Sequence, residues 1–307
     1  FYFCLLLSNA LMGLLIAFAL VDRNFFSCWT RAISSKAEQF HLEAEEKRRR
    51  LAKPRLWERL LDKLPFTPPI RAMVLKDSRL FWRDPTQWLQ FMIFFGLLCV
   101  YVVNLRNVAF AFQNPYWETL ISYLNLAASA LTLSTLTTRF VFPQFSLEGR
   151  RLWIVGLAPV GLRRVLLLKF WSSFFISSVI TVILMVASSM ILRLTTEKVL
   201  FFAMAIVILS GALSGLAVGL GALFPNLRED NPSRIVSGFG GTLCLAVSFI
   251  YIMLFVSLVS IPAMEEVTMT PMWIRGDIAL LLAYGMSAVV FGVPMFLAWH
   301  RVKRLEL

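Results

Sequence analysis

Seven stretches of roughly 20 residues contain no Asp, Glu, Lys or Arg, apart from Glu118 at the edge of one. They cover about 1–21, 88–105, 117–138, 170–192, 199–224, 235–260 and 278–299. A helix needs about 20 apolar residues to cross a bilayer. Each run is about long enough, the second being the shortest. Strands of a membrane barrel would alternate polar and apolar residues, and these runs do not. The expected fold is therefore an all-α integral membrane protein with about seven transmembrane helices. Composition agrees, since 58% of residues are hydrophobic against about 45–50% in soluble domains.

The net charge of +12 raises the question of nucleic acid, and its distribution answers it. Alternating the spans divides the polar segments into two sets. Segments 22–87, 139–169, 225–234 and 300–307 hold 26 Lys and Arg. Segments 106–116, 193–198 and 261–277 hold four: Arg106, Arg193, Lys198 and Arg275. This asymmetry predicts that the first set, including the C-terminus, is cytoplasmic. The charge serves membrane topology, and no nucleic-acid partner is expected. Cys4, Cys28, Cys99 and Cys244 form no CxxC, and His41 and His300 are far apart. Neither a disulfide framework nor a metal site is expected.

Residues 1–21 read as the last helix of a truncated upstream half, because the chain starts at Phe1 inside an apolar run. Residues 22–87 read as a basic cytoplasmic linker. Within it Trp57, Leu60, Leu61 and Leu64 share a helical face among Arg55, Arg59, Asp62 and Lys63. That pattern fits either a solvated linker helix or a helix on the anionic inner leaflet. After Pro65, Pro68 and Pro69, the segment IRAMVLKDSRLFWRDPTQW, residues 70–88, reads as an interfacial helix leading into the next span. Residues 88–307 then form a six-helix module.

One segment fits neither a span nor a loop. Residues 146–170 read SLEGRRLWIVGLAPVGLRRVLLLKF. It is apolar, but only eleven residues separate Arg151 from Arg163. With the KDSRLFWRDP segment before it and GALFPNLREDNPSRIVSGFGG after it, it resembles the type-2 family of ATP-binding-cassette exporter permeases, in particular bacterial exporters with fused permease halves. The resemblance covers about residues 70–307. The family pattern is an acidic residue, basic residues, Leu, a Pro at a turn, further basic residues and a Lys entering a helix. Glu148, Arg150, Arg151, Leu152, Pro159, Arg163, Arg164 and Lys169 fit it. The resemblance implies a coupling helix, with a separate ABC ATPase docked at residues 146–165. Glu148, Arg150, Arg151, Leu152, Trp153 and Pro159 are the candidate coupling residues. Leu152 and Trp153 would supply buried apolar surface, and the two arginines would meet acidic groups. Arg163, Arg164 and Lys169 would sit at headgroup level. The alternative is a surface helix packed on its own protein.

No GxxxxGK[ST] occurs, so the chain is expected to be a permease subunit without its own ATP-binding motif. On this reading it is no enzyme, has no catalytic residues or cofactor, and relies on ATP in a separate subunit. No ionisable residue falls mid-run, which speaks against an ion-coupled carrier and favours an amphiphilic or hydrophobic substrate. Ser122, Asn125, Ser129 and Thr132 on one span and Ser173, Ser177 and Thr181 on the next are candidate pathway residues. Hydrogen bonding between helices is the competing role for them. The implied partners are the lipid bilayer, an ABC ATPase, and an upstream permease half or a second permease copy. The implied location is the plasma (inner) membrane. Alternative functions are a non-transporting membrane scaffold or sensor, or a lipid-modifying enzyme.

Overall fold

Pro115 opens the first described long helix, α1 (Pro115–Leu136), at the position where its missing N–H costs nothing. Glu118 in the first turn complements the helix dipole. After Leu136 the winding loosens. Residues Thr137–Val141 form a π turn, followed by 3-10 turns over Phe142–Gln144 and Ser146–Arg151. Pro143 has no N–H with which to continue an α-helix. The Thr137 hydroxyl meanwhile donates to the Ser134 carbonyl at 3.0 Å.

Four more helices follow, α2 (Leu162–Ile191), α3 (Thr196–Leu223), a short α4 (Pro232–Val236) and α5 (Phe239–Thr268). The last is α6 (Gly276–Leu305). The computed structural model describes residues 115–151, 161–227, 229, 231–268 and 275–305. It also describes Met12, Arg71, residues 73–77, Arg79, Leu89, Met92 and Gly96. The chain divides into the units Phe1–Phe66 and Thr67–Leu307. Met12, which is helical, represents the first unit; the remainder concerns the second.

Helix α3 is the centre of the bundle and packs against α1, α2, α5 and α6. Its side chains Ile206, Leu209, Leu213 and Ala217 are fully buried. At Gly219 a Cβ would lie 2.6 Å from Pro294 Cβ and 2.7 Å from the Pro294 carbonyl carbon. Only a hydrogen side chain lets α3 and α6 approach this closely. Outward faces are apolar instead of polar. Phe175, Ile176, Val179 and Ile183 on α2, and Phe249, Ile250, Met253 and Leu254 on α5, are all at least half exposed. Such surfaces suit a hydrocarbon solvent. Length points the same way, because the 30 residues of α2 span about 45 Å at 1.5 Å per residue.

Among the described residues there is no strand, and five helical segments are long and apolar enough to cross a membrane. The chain is an all-α integral membrane protein. Those five segments correspond to five of the seven predicted runs. Residues 1–21 and 88–105 lie outside the described residues except for Met12, Leu89, Met92 and Gly96, each helical. The amphipathic stretch 55–64 lies outside them as well. Two boundaries differ from expectation. Helix α2 starts eight residues before the uncharged run and takes in Arg163, Arg164 and Lys169. Helix α6 continues past the uncharged run 278–299 to take in His300 and Arg301.

Candidate functional site

Three separate segments converge on one cluster of charges. Residues 73–77, which are helical, supply Lys76 and Asp77; the 3-10 turn Ser146–Arg151 supplies Glu148; and the third turn of α2 supplies Lys169. The Lys169 ammonium donates to Glu148 Oε1 at 3.0 Å and to the Gln144 carbonyl at 3.3 Å. Lys76 donates to both Glu148 oxygens at 2.7 Å. Asp77 lies 3.5 Å from Lys76 and 3.6 Å from Lys169. The Phe145 ring faces Lys169 at 5.8 Å, within range of a cation–π contact.

The burial of this cluster is graded. The Lys169 side chain is 2% exposed and Glu148 9%, whereas Lys76 and Asp77 are exposed by 38% and 34%. An ion taken out of water costs several kcal/mol, and attraction repays it only with well-made hydrogen bonds. Here two ammonium groups meet two carboxylates. Glu148 is the hub, because its carboxylate accepts from both lysines. Lys169, expected at headgroup level, is turned into the protein in this pair. The lysine turns inward to pair with Glu148, 21 residues earlier.

Neighbouring contacts hold the same end of the bundle. The Ser146 hydroxyl accepts from the Asn226 backbone N–H at 3.0 Å, tying the 3-10 turn to the segment after α3. Arg301 on α6 donates to the Leu223 carbonyl at the end of α3. The Arg163 guanidinium lies 5.6 Å from the Trp299 ring centre. Gly161 caps α2 at φ 71°, a backbone region that L side chains rarely adopt. In the turn before α4, the Asn231 side chain accepts from the Ser233 N–H at 3.0 Å, and Glu229 pairs with Arg234 at 3.6 Å.

Among the coupling candidates, Glu148 is the hub described above, and Arg150 and Arg151 complete the 3-10 turn. Leu152, Trp153 and Pro159 lie outside the described residues. The pathway candidates do not gather at one place. Asn125 donates to the Ser188 hydroxyl at 2.8 Å, and Ser177 bonds Ser210 and Ser214 at 3.0 and 3.2 Å. Ser173 meets Gln144 at 3.1 Å. Ser122, Thr132 and Thr181 bond carbonyls of their own helices, and Ser129 is buried without a hydrogen-bond partner. Sequence reasoning missed Lys76, Asp77 and Gln144 as members of the site. The available signal was the Lys-Asp doublet inside an apolar lead segment, but its partner is 72 residues away.

Comparison with known proteins gives one family, described as "Putative ATP-binding cassette", whose sequence profile matches residues 1–307. No curated protein and no solved structure matches the chain. The family match overturns the expectation that this chain, as a permease subunit, has no ATP-binding motif of its own and is no enzyme. That expectation rested on a missing GxxxxGK[ST] loop. Such a test covers one way of cradling phosphates, whereas the family named for ATP binding covers the whole chain.

Proposed function

Since the chain belongs to this ATP-binding-cassette family, we propose that it is the membrane-spanning permease component of an ATP-driven exporter for an amphiphilic or hydrophobic substrate. A separate ABC ATPase docks at residues 146–165, and the bundle sits in the plasma (inner) membrane with its C-terminus in the cytoplasm. The observation that carries this reading is the fixing of Ser146–Arg151 to α2 through Glu148 and Lys169. A partner that pushes on the chain next to this turn pushes on a charged, buried joint. Such a joint transmits displacement into α2, because separating its ions exposes each to an uncompensated low-dielectric site. The type-2 resemblance of the same stretch supports docking there, and Arg150 and Arg151 supply rim charge for the encounter.

The test is co-purification. Leu152→Asp and Trp153→Asp should weaken ATPase capture by at least about tenfold, as burial of a large apolar side chain contributes about 1.5–3 kcal/mol. Both variants should keep the parent melting temperature. Normal capture by folded variants would remove the docking assignment. In the same preparation, a photoreactive ATP analogue reads which chain carries the nucleotide. Orientation is tested in a cysteine-free background: Thr196→Cys should react with an impermeant thiol reagent from outside, and Gly156→Cys should not.

A further inference from the structure

Beside the ion cluster, between residues 74–77, the π turn after α1, and α2, lies a cleft of about 360 Å³. We propose that it binds an uncharged, hydroxyl-bearing single-chain amphiphile of the monoacylglycerol class, inserted chain-first from the membrane. Its volume falls within the range of small-molecule sites, about 300–1,000 Å³. The walls are apolar over most of their length, with Leu136, Phe140, Leu168 and Ile180 contributing. From Leu168 to Ile180 they follow about 18 Å of α2 at 1.5 Å per residue, a length suited to an extended acyl chain.

Gln144, Ser173 and Asp77 line the end next to the ion cluster; Thr137 and Ser177 add hydroxyls to the wall, but these already bond Ser134 and Ser210 with Ser214. Gln144 and Ser173 bond each other at 3.1 Å, and an amide and a hydroxyl keep further donor and acceptor capacity beyond one bond. The charge at this end is already balanced. Asp77 has Lys76 and Lys169 within 3.6 Å, and Glu148 has the same two ammonium groups. A phosphate or quaternary ammonium headgroup would therefore compete with pairs already made, while a glycerol headgroup adds hydrogen bonds without doing so. The cleft wall includes the π turn, through Thr137, Phe140 and Val141. Helices carry such wide turns frequently at functional sites.

Binding is read from the cleft; the role of this amphiphile as cargo rests on the transporter reading above. The experiment uses the full chain in nanodiscs and a monoacylglycerol with a photoactivatable group in its acyl chain. Label should map to α2 peptides. Unlabelled monoacylglycerol should compete at least about tenfold better than lysophosphatidylglycerol or a single-chain quaternary amine, a difference of about 1.4 kcal/mol. Ile180→Trp, which fills the chain end of the cleft, should cut labelling about tenfold. Met253→Trp, on the 53% exposed face of α5, should leave it unchanged. Leu168→Trp obstructs the other end and serves if Ile180→Trp does not fold. Stronger competition by either charged lipid, or full labelling of both folded blocking variants, overturns the site. Cleft labelling without ATP-driven export in vesicles carrying the ATPase upholds the site and removes its cargo role.

Discussion

The two ends of α2 solve the problem of polar groups in an apolar chain differently. Near its start, Lys169 is buried and ionic, and it is matched by Glu148, with Lys76 and Asp77 at the rim. From Ser177 to Ser188 the same helix uses neutral groups alone. Ser177 meets Ser210 and Ser214 on α3, Thr181 bonds the carbonyl of Ser177, and Ser188 accepts from Asn125 on α1. The difference shows where failure is costly. A hydroxyl that loses its partner can turn to a carbonyl one turn back, as Thr181 and Ser188 already do. A buried ammonium that loses Glu148 keeps only the partly exposed Asp77 at 3.6 Å and the Gln144 carbonyl at 3.3 Å. The ionic joint therefore specifies one arrangement of three segments, whereas the hydroxyl contacts add small increments to a bundle held by packing.

The sharpest way to break this contrast is Glu148→Ala. It leaves Lys169 buried with only the partly exposed Asp77 as a carboxylate partner, and should destabilise the chain by about 3 kcal/mol, the low end of the usual cost of removing one partner of a buried pair. A thermal melt in detergent reads it. Glu148→Leu combined with Lys169→Met should recover most of the loss, since replacing both ions removes the desolvation penalty with the attraction. A melt of Glu148→Ala within about 1 kcal/mol of the parent would put this pair with exposed salt bridges.

Packing between α3 and α6 should give the next largest effect. Gly219→Ala places a methyl group 2.6 Å from Pro294 Cβ and 2.7–2.9 Å from the Pro294 backbone, so α3 and α6 must separate. Overpacking of this kind costs about 1–3 kcal/mol. Gly211→Ala is the control, because its nearest neighbour is the Phe174 ring at 3.6 Å. It should be neutral or slightly stabilising, as Ala exceeds Gly in helix propensity by about 1 kcal/mol. Equal melts for the two variants would show that the close approach at Gly219 contributes little.

These regions were unequally legible in the sequence. The spans behind α1 to α3, α5 and α6 were readable because hydrocarbon imposes a local rule, an uninterrupted apolar run of a set length. The same rule does not give the start of α2, because the helix begins at Leu162, ahead of Arg163, Arg164 and Lys169 and of the uncharged run. Lys169 is inside the fold because of Glu148, and Glu148 is drawn in by Lys76; these pairings cross 21 and 72 residues. No periodicity records them. The resemblance singled out Glu148 and Lys169 as motif members but said nothing of their contact. The π turn at Thr137–Val141 was also invisible, because TTRFV straddles the end of the apolar run at 138 and nothing in it marks a change of winding.

Smaller effects test whether the hydroxyl contacts are as replaceable as their geometry implies. Ser210→Ala removes one of the two hydroxyls around Ser177, and Ser214 remains at 3.2 Å. The loss should be about 0.6 kcal/mol, the average for polar contacts between membrane helices. Ser210→Ala combined with Ser214→Ala should cost more than twice that, because Ser177 then has only its own helix. A strictly additive double variant would mean that the two hydroxyls do not substitute for one another.

The smallest effect is expected at the opposite end of the bundle, where Lys198 pairs with Glu118 at 3.1 Å. This pair has the same chemistry as Lys169 and Glu148 but the opposite surroundings, since its side chains are 47% and 52% exposed. Exposed pairs contribute about 0.2–1 kcal/mol, because water solvates the separated ions almost as well. Lys198→Ala should therefore shift the melt only slightly. Salt separates the two cases further. Raising ionic strength from about 0.1 M to about 1 M shortens the screening length from about 10 Å to about 3 Å. That should erase the difference between Lys198→Ala and its parent while leaving the Glu148→Ala deficit in place, as ions do not enter the buried joint. If the Glu148→Ala deficit fell with salt as the Lys198→Ala deficit does, the joint would be open to water, and the rigid connection of the 3-10 turn to α2 would have to be given up.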